Sequence, residues 1–168
     1  NLHGIKRTLG SRQIAKKPLL INELKLIINV IDEIKIKDKD LVEAKVKSSD
    51  VKRDKALILL GFAGGFRRSE LVNIEYEDIE FVQEGVKIVI KRSKTDQSGE
   101  GTIKAIPYFD NEKYCPVKAL KNYMTYGFAI TNKGKIFDIS DKSVALIIKR
   151  YAEKAGLDSS KYAGHSLR

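Results

Sequence analysis

The sequence predicts a mainly helical α+β domain that carries one small three-stranded antiparallel sheet. Apolar residues recur at helical spacing in several separated stretches, and three short runs in the middle of the chain read as consecutive strands. Apolar residues make up 42% of the 168, enough to bury a core, and the length suits one domain of ordinary size.

Residues 1–17 carry Lys6, Arg7, Arg12, Lys16 and Lys17 with little apolar periodicity, which reads as a basic arm or linker. The chain opens without an initiator Met, so a preceding segment is expected. From Asn22, taken as an N-cap, Leu24, Ile27, Ile28, Ile31 and Ile34 fall on one helix face. Residues 36–49 are charged and aperiodic and read as an exposed loop or frayed helix end. Ser48, Ser49 and Asp50 are the cap candidates of a second helix that buries Ala56, Leu57, Leu60 and Ala63 and stops at Gly64-Gly65.

Strands are expected at residues 79–82, at 86–90 after a Glu84-Gly85 turn, and at 102–106 after a polar loop. Pro116 suits the first position of a helix with Val117, Leu120 and Met124 on its apolar face. A short Lys135-Ile136-Phe137 segment precedes a last full helix, where Val144, Ile147, Ile148, Tyr151 and Ala155 share a face and Gly156 closes it. Residues 164–168 resemble the opening of a further helix.

Thirty-two Lys plus Arg against 22 Asp plus Glu give a net charge of +10, which favours a polyanionic partner. No run of 18 apolar residues and no signal-peptide core occur, so a membrane span and classical secretion are not expected. Cys115 is the only cysteine, and with His3 and His165 it does not make a zinc site; a reducing, cytoplasmic setting without metal or cofactor fits best.

Arg67 and Arg68 follow two glycines between two helices, so one guanidinium could stand at a helix N-terminus, a place disposed to bind phosphate; the plain alternative is a solvated basic pair. Lys91, Arg92 and Lys94 lie at or in the polar tip between two strands, which is either solvated or able to reach a DNA backbone, with Lys94 a possible proton donor. His165 and Arg168, three apart, could grip one phosphate together, although an isolated pair of this kind is usually structural.

Taken in order, Gly-Phe-Arg-Arg-Ser-Glu-Leu after a helix, Ser-Lys-Thr in a hairpin and Gly-His-Ser-Leu-Arg at the end resemble the tyrosine recombinases, or phage-integrase family, and the Xer-type members in particular. The resemblance covers nearly all of residues 18–168. It implies a catalytic-domain fold of that family for 18–168, C-terminally incomplete, and an interdomain linker for 1–17. By the same resemblance Arg67 matches the first catalytic arginine, Glu70 its supporting acidic residue, Lys94 the β-hairpin lysine, and His165 and Arg168 the His-x-x-Arg box. Arg68, Lys91 and Arg92 are then expected to touch DNA.

The family's chemistry makes sense of those residue types. A tyrosine hydroxyl attacks the scissile phosphate, leaving a 3′-phosphotyrosine and a free 5′-hydroxyl, and a second strand reverses the step. Because the bond energy is kept, no nucleotide or metal is needed. In the family the nucleophile follows the His-x-x-Arg box, whereas all seven tyrosines here precede it, so the chain alone is expected to be inactive. The resemblance implies double-stranded DNA as partner and a tetramer for a complete member, with this stretch alone a monomer. A non-catalytic DNA-binding protein that has lost the nucleophile is the alternative, and a basic structural nucleic-acid protein is a third reading that leaves the ordered set unexplained.

Overall fold

The computed structural model describes residues 20–36, 40–91, 101–127 and 133–162. In chain order the elements are α1 (Ile21–Asp32), α2 (Leu41–Gly64), α3 (Arg68–Asn73), β1 (Ile79–Val82), β2 (Gly85–Ile90), β3 (Thr102–Pro107), α4 (Pro116–Tyr126) and α5 (Asp141–Lys154), with single 3₁₀ turns before β1, before α4 and after α5. This is the mainly helical fold with a small antiparallel sheet that the sequence predicts. The basic arm at 1–17, Arg92, Lys94, and the terminal stretch with His165 and Arg168 lie outside the described residues.

Both amphipathic helices α1 and α5 form for the reason their spacing gives: Leu24, Ile27, Ile28 and Ile31 on the first, and Val144, Ile147, Ile148 and Tyr151 on the second, are all buried. Ser140 caps α5 by accepting from the Ser143 N–H at 3.2 Å. On α1 the cap lies earlier than expected. Leu20 is the N-cap and Asn22 is already inside the helix; the Glu23 carboxylate reaches back to accept from the Leu20 N–H at 3.1 Å, while the Leu20 side chain has no oxygen to accept from the first-turn N–H groups.

The largest correction concerns α2, which is 24 residues long and begins at Leu41 rather than near Asp50. Asp40 caps it, accepting from Val42 N–H at 2.8 Å and Glu43 N–H at 3.4 Å, so Ser48, Ser49 and Asp50 are helical. The first turns show no apolar period because they bury almost nothing; Leu41, Val42 and Val46 are exposed. Further along, Ala56, Leu57, Ile58, Leu59 and Leu60 are buried consecutively, and the helix runs through the core rather than along its edge. Each of these Leu and Ile side chains removed from water contributes about 1.5–3 kcal/mol before entropy is counted.

The sheet has order β1-β2-β3, antiparallel throughout, with Ile88 opposite Ile79 on one side and Lys104 on the other. Val86, Ile88 and Ile106 face the core, which continues through α2, α4 and α5. Pro116 opens α4, where Val117 and Leu120 are buried and Met124 is partly so. The segment around Lys135 is stapled to the chain after α3. Tyr76 N–H donates to Gly134 O at 2.9 Å and Ile136 N–H to Ile74 O at 3.0 Å, while the Phe137 ring stacks on Tyr123 at 5.7 Å between centroids.

Candidate active site

The turn after α2 is built by two glycines with different tasks. Gly65 sits at φ 62° and ψ 36°, the left-handed conformation that closes a helix, and both its N–H and that of Phe66 turn back to the Gly61 carbonyl. At Gly64 a Cβ would stand 2.3 Å from Cε2 of Phe66, so the ring can fold back against the helix only because no side chain is there. Phe66 is fully buried and anchors the turn. Arg67, the next residue, is extended (φ −74°, ψ 154°), exposed, and the N-cap of α3.

Glu70 then locks that position. Its Oε1 accepts from the Arg67 backbone N–H at 2.7 Å, so the carboxylate supports Arg67 through the main chain. Leu71 and Val72, on the same short helix, are buried and hold it against the body of the protein. Arg67 and Glu70, with Ser69, Asn73, Lys91 and Thr102, line a cleft of about 450 Å³ between α3 and the ends of β2 and β3. Arg68 is half-buried and does not line it.

Lys91, at the end of β2, reaches the same cleft but is engaged. Its ammonium is 2.7 Å from Glu75 Oε2 and 3.3 Å from Asp78 Oδ2. Desolvation works against its charged form, yet the hydrogen bonds to Glu75 and Asp78 prevail and raise its pKa; Glu75 in turn is lowered, first of all by the hydrogen bond from Lys91. Lys91 therefore enters the cleft with its charge offset by two carboxylates, and among the described residues that line the cleft the exposed arginine is Arg67. Of the eight site residues named from the sequence, the structure thus gathers Arg67, Glu70 and Lys91 around one cleft and sets Arg68 beside it; Arg92, Lys94, His165 and Arg168 fall outside the described residues.

Two residues that sequence reasoning missed support this region. Lys104 on β3 donates to the carbonyls of Gly64 at 2.7 Å and Gly65 at 3.1 Å and lies over the Phe66 ring, 4.7 Å from its centroid. Asp54, 1% exposed, joins α2 to α5 through Arg53, Arg150 and Tyr151. A signal existed for each. Lys104 shares strand parity with core-facing Ile106, and Asp54 precedes Leu57 and Ile58 by three and four residues, on a buried helix face.

Cys115 is a packing thiol, fully buried, whose Sγ accepts from the Phe109 N–H at 3.3 Å. Among the described residues no cluster of three or more His, Cys, Asp or Glu could hold a metal, and no helix is long and apolar enough to cross a membrane.

An exposed arginine, its backbone N–H held by a glutamate, thus stands just past the end of a core helix and beside an antiparallel sheet. Residues 22–168 match the phage integrase family, and the chain belongs to it. It is 43% identical to an integrase/recombinase xerD homolog of Selenomonas ruminantium, over 99% of this chain and 48% of the relative. It is 31% identical to the tyrosine recombinase XerA of Pyrococcus horikoshii, over 77% of this chain and 45% of that one. The chain thus spans about half the length of these relatives. Its fold resembles that of the XerH site-specific recombinase solved on palindromic difH substrate as a post-cleavage complex, with a TM-score of 0.64 at 18% identity, covering 90% of this chain and 40% of XerH.

Proposed function

We propose that residues 18–168 form the catalytic domain of a site-specific DNA recombinase that breaks and rejoins duplex DNA through a 3′-phosphotyrosine, with residues 1–17 as the linker to another domain. The observation that carries this reading is Arg67, exposed at the cleft while Phe66 before it is buried and Glu70 holds its N–H. A guanidinium carried on a backbone held in that way can bind the nonbridging oxygens of a phosphodiester bidentately and offset the charge that gathers on pentacoordinate phosphorus. Arg168 is the second arginine of the proposed pair, Lys94 the donor of the proton to the leaving 5′-oxygen, and His165 the group that assists proton movement at the attacking hydroxyl. The tyrosine that attacks follows the His165–Arg168 box in the complete protein.

In that step the tyrosine oxygen forms a bond to phosphorus, the P–O5′ bond breaks and the 5′-oxygen takes a proton; rejoining runs the same exchange backwards, so neither nucleotide nor metal is consumed. XerH, the structural neighbour, was solved bound to difH before and after cleavage, which supports duplex DNA as the partner here. In this reading Arg68 and Arg92 touch the DNA, and Lys91 contributes less field than its charge suggests because Glu75 and Asp78 are beside it. Assembly as a tetramer on two DNA sites, and action in the cytoplasm where the DNA is, belong to the same reading.

The test is cleavage by the complete protein and its Arg67→Ala variant. Loss of about 100- to 1,000-fold in cleavage rate with most DNA affinity retained is expected. Cleavage at the parental rate would remove Arg67 from the chemistry and with it the reading.

A further inference from the structure

We infer that Lys104 is a positioning residue for the reaction proposed above, clamping the turn that presents Arg67. The inference rests on that reading of Arg67, and the geometry adds a residue that neither the motif set nor the cleft lining contains.

A helix end leaves its last carbonyls without partners, and their partial negative charges add to the helix dipole. At the end of α2, Gly64 and Gly65 present two of these carbonyls side by side, and the Lys104 ammonium binds both, at 2.7 and 3.1 Å. The same ammonium lies 4.7 Å from the centroid of the Phe66 ring. One cation therefore touches three successive residues, Gly64, Gly65 and Phe66, immediately before Arg67. Glu70 holds Arg67 from the other side through its N–H.

Glycine would otherwise make this turn the loosest part of the segment between α2 and α3, since glycine has the widest conformational freedom of any residue type. Lys104 removes that freedom at the cost of partial burial on β3, a position whose parity points it toward the core beside Ile106. A phosphate-binding lysine would extend its ammonium to solvent. Here it is spent on main-chain oxygens.

The experiment compares parental protein with Lys104→Met, Lys104→Gln and Lys104→Arg in the complete protein, measuring single-turnover cleavage and DNA affinity separately, well below each variant's melting temperature. Arg67→Ala is the control that reports on the underlying reading. Lys104→Met should slow cleavage by about 10- to 100-fold, because a small misplacement of a charge-stabilising group is enough, while affinity stays within about twofold. Lys104→Gln, which keeps amide N–H donors and folds without a half-buried charge, should fall between, and Lys104→Arg should recover most of the rate.

Three results would overturn the assignment: Lys104→Met and Lys104→Gln cleaving at the parental rate, Lys104→Arg being no better than Lys104→Met, or affinity falling in step with rate and the salt slope dropping by about one, which marks a direct phosphate contact. If Arg67→Ala itself cleaves normally, the reading of the cleft has failed first, whatever Lys104 does.

Discussion

The Tyr151 hydroxyl donates to Asp54 Oδ2 at 2.6 Å, and the carboxylate that receives it is 1% exposed. Around the same Asp54, Arg53 donates from Nε at 3.0 Å and Nη2 at 2.8 Å, and Arg150 from Nη2 at 3.3 Å. The helix that ends in the Arg67 turn and the last full helix before the His165–Arg168 stretch are thus joined by one buried anion. Such a group is tolerable only with its partners present, since an unpaired buried carboxylate would be expelled or neutralised.

Replacing Asp54 by Asn leaves two arginines facing a neutral amide. The cost expected is about 3 kcal/mol, the low end for a broken buried pair, because the Arg150 side chain is half exposed and can rehydrate. Urea unfolding of parent and variant measures it, and a change below about 0.5 kcal/mol would show that the cluster contributes no more than a surface pair.

Tyr151 itself should titrate late. Burial first, and then the hydrogen bond to Asp54, raise its pKa; burial raises Tyr123 to about 12, and burial with the Glu23 hydrogen bond raises Tyr162 to about 12. All three are neutral in the fold. Their contribution to stability is complete below the ordinary tyrosine value near 10 and is lost as pH rises toward the folded values, because the unfolded chain releases those protons first. Phenolate absorbance should show these three ionising above the ordinary tyrosine value, with the urea midpoint falling from about pH 10 toward pH 12. Seven tyrosines titrating together near 10 would contradict the burial assigned to these three.

Gly64→Ala tests the packing of the Arg67 turn. Alanine is the better helix former by about 1 kcal/mol, but its methyl would meet Cε2 and Cδ2 of Phe66 at 2.3 and 2.7 Å and Ile106 Cδ1 at 3.2 Å. Because Phe66 is fully buried and cannot swing away, overpacking should prevail, with a net loss of about 1–2 kcal/mol. A variant as stable as the parent in thermal unfolding would mean that the ring has room to move.

Much of this architecture is legible in the residues. The helices α4 and α5 announce themselves because each buries one clear face, the strands because their apolar runs are bounded by turn and polar residues, and Arg67 and Glu70 fall where a helix-ending glycine pair and a following helix put them. The first turns of α2 are not legible, because Leu41, Val42 and Val46 are exposed and periodicity reports burial rather than helicity. Asp40 as a cap was hidden among neighbouring charges. Lys104 and Asp54 are illegible for another reason: apart from Arg53 beside Asp54, their hydrogen-bond partners lie 39 to 97 residues away, and long-range pairing leaves only a parity hint in the local sequence.

The central claim is that Arg67 stabilises a phosphoryl-transfer transition state. Its most direct test is the denaturant-resistant protein–DNA adduct formed by the complete protein on nicked target DNA, which traps the 3′-phosphotyrosine. The account predicts adduct with the parent and, with Arg67→Ala, formation slowed about 100- to 1,000-fold at nearly unchanged DNA affinity. Adduct forming equally fast in both, or no adduct from a parent that binds its target tightly, would contradict it.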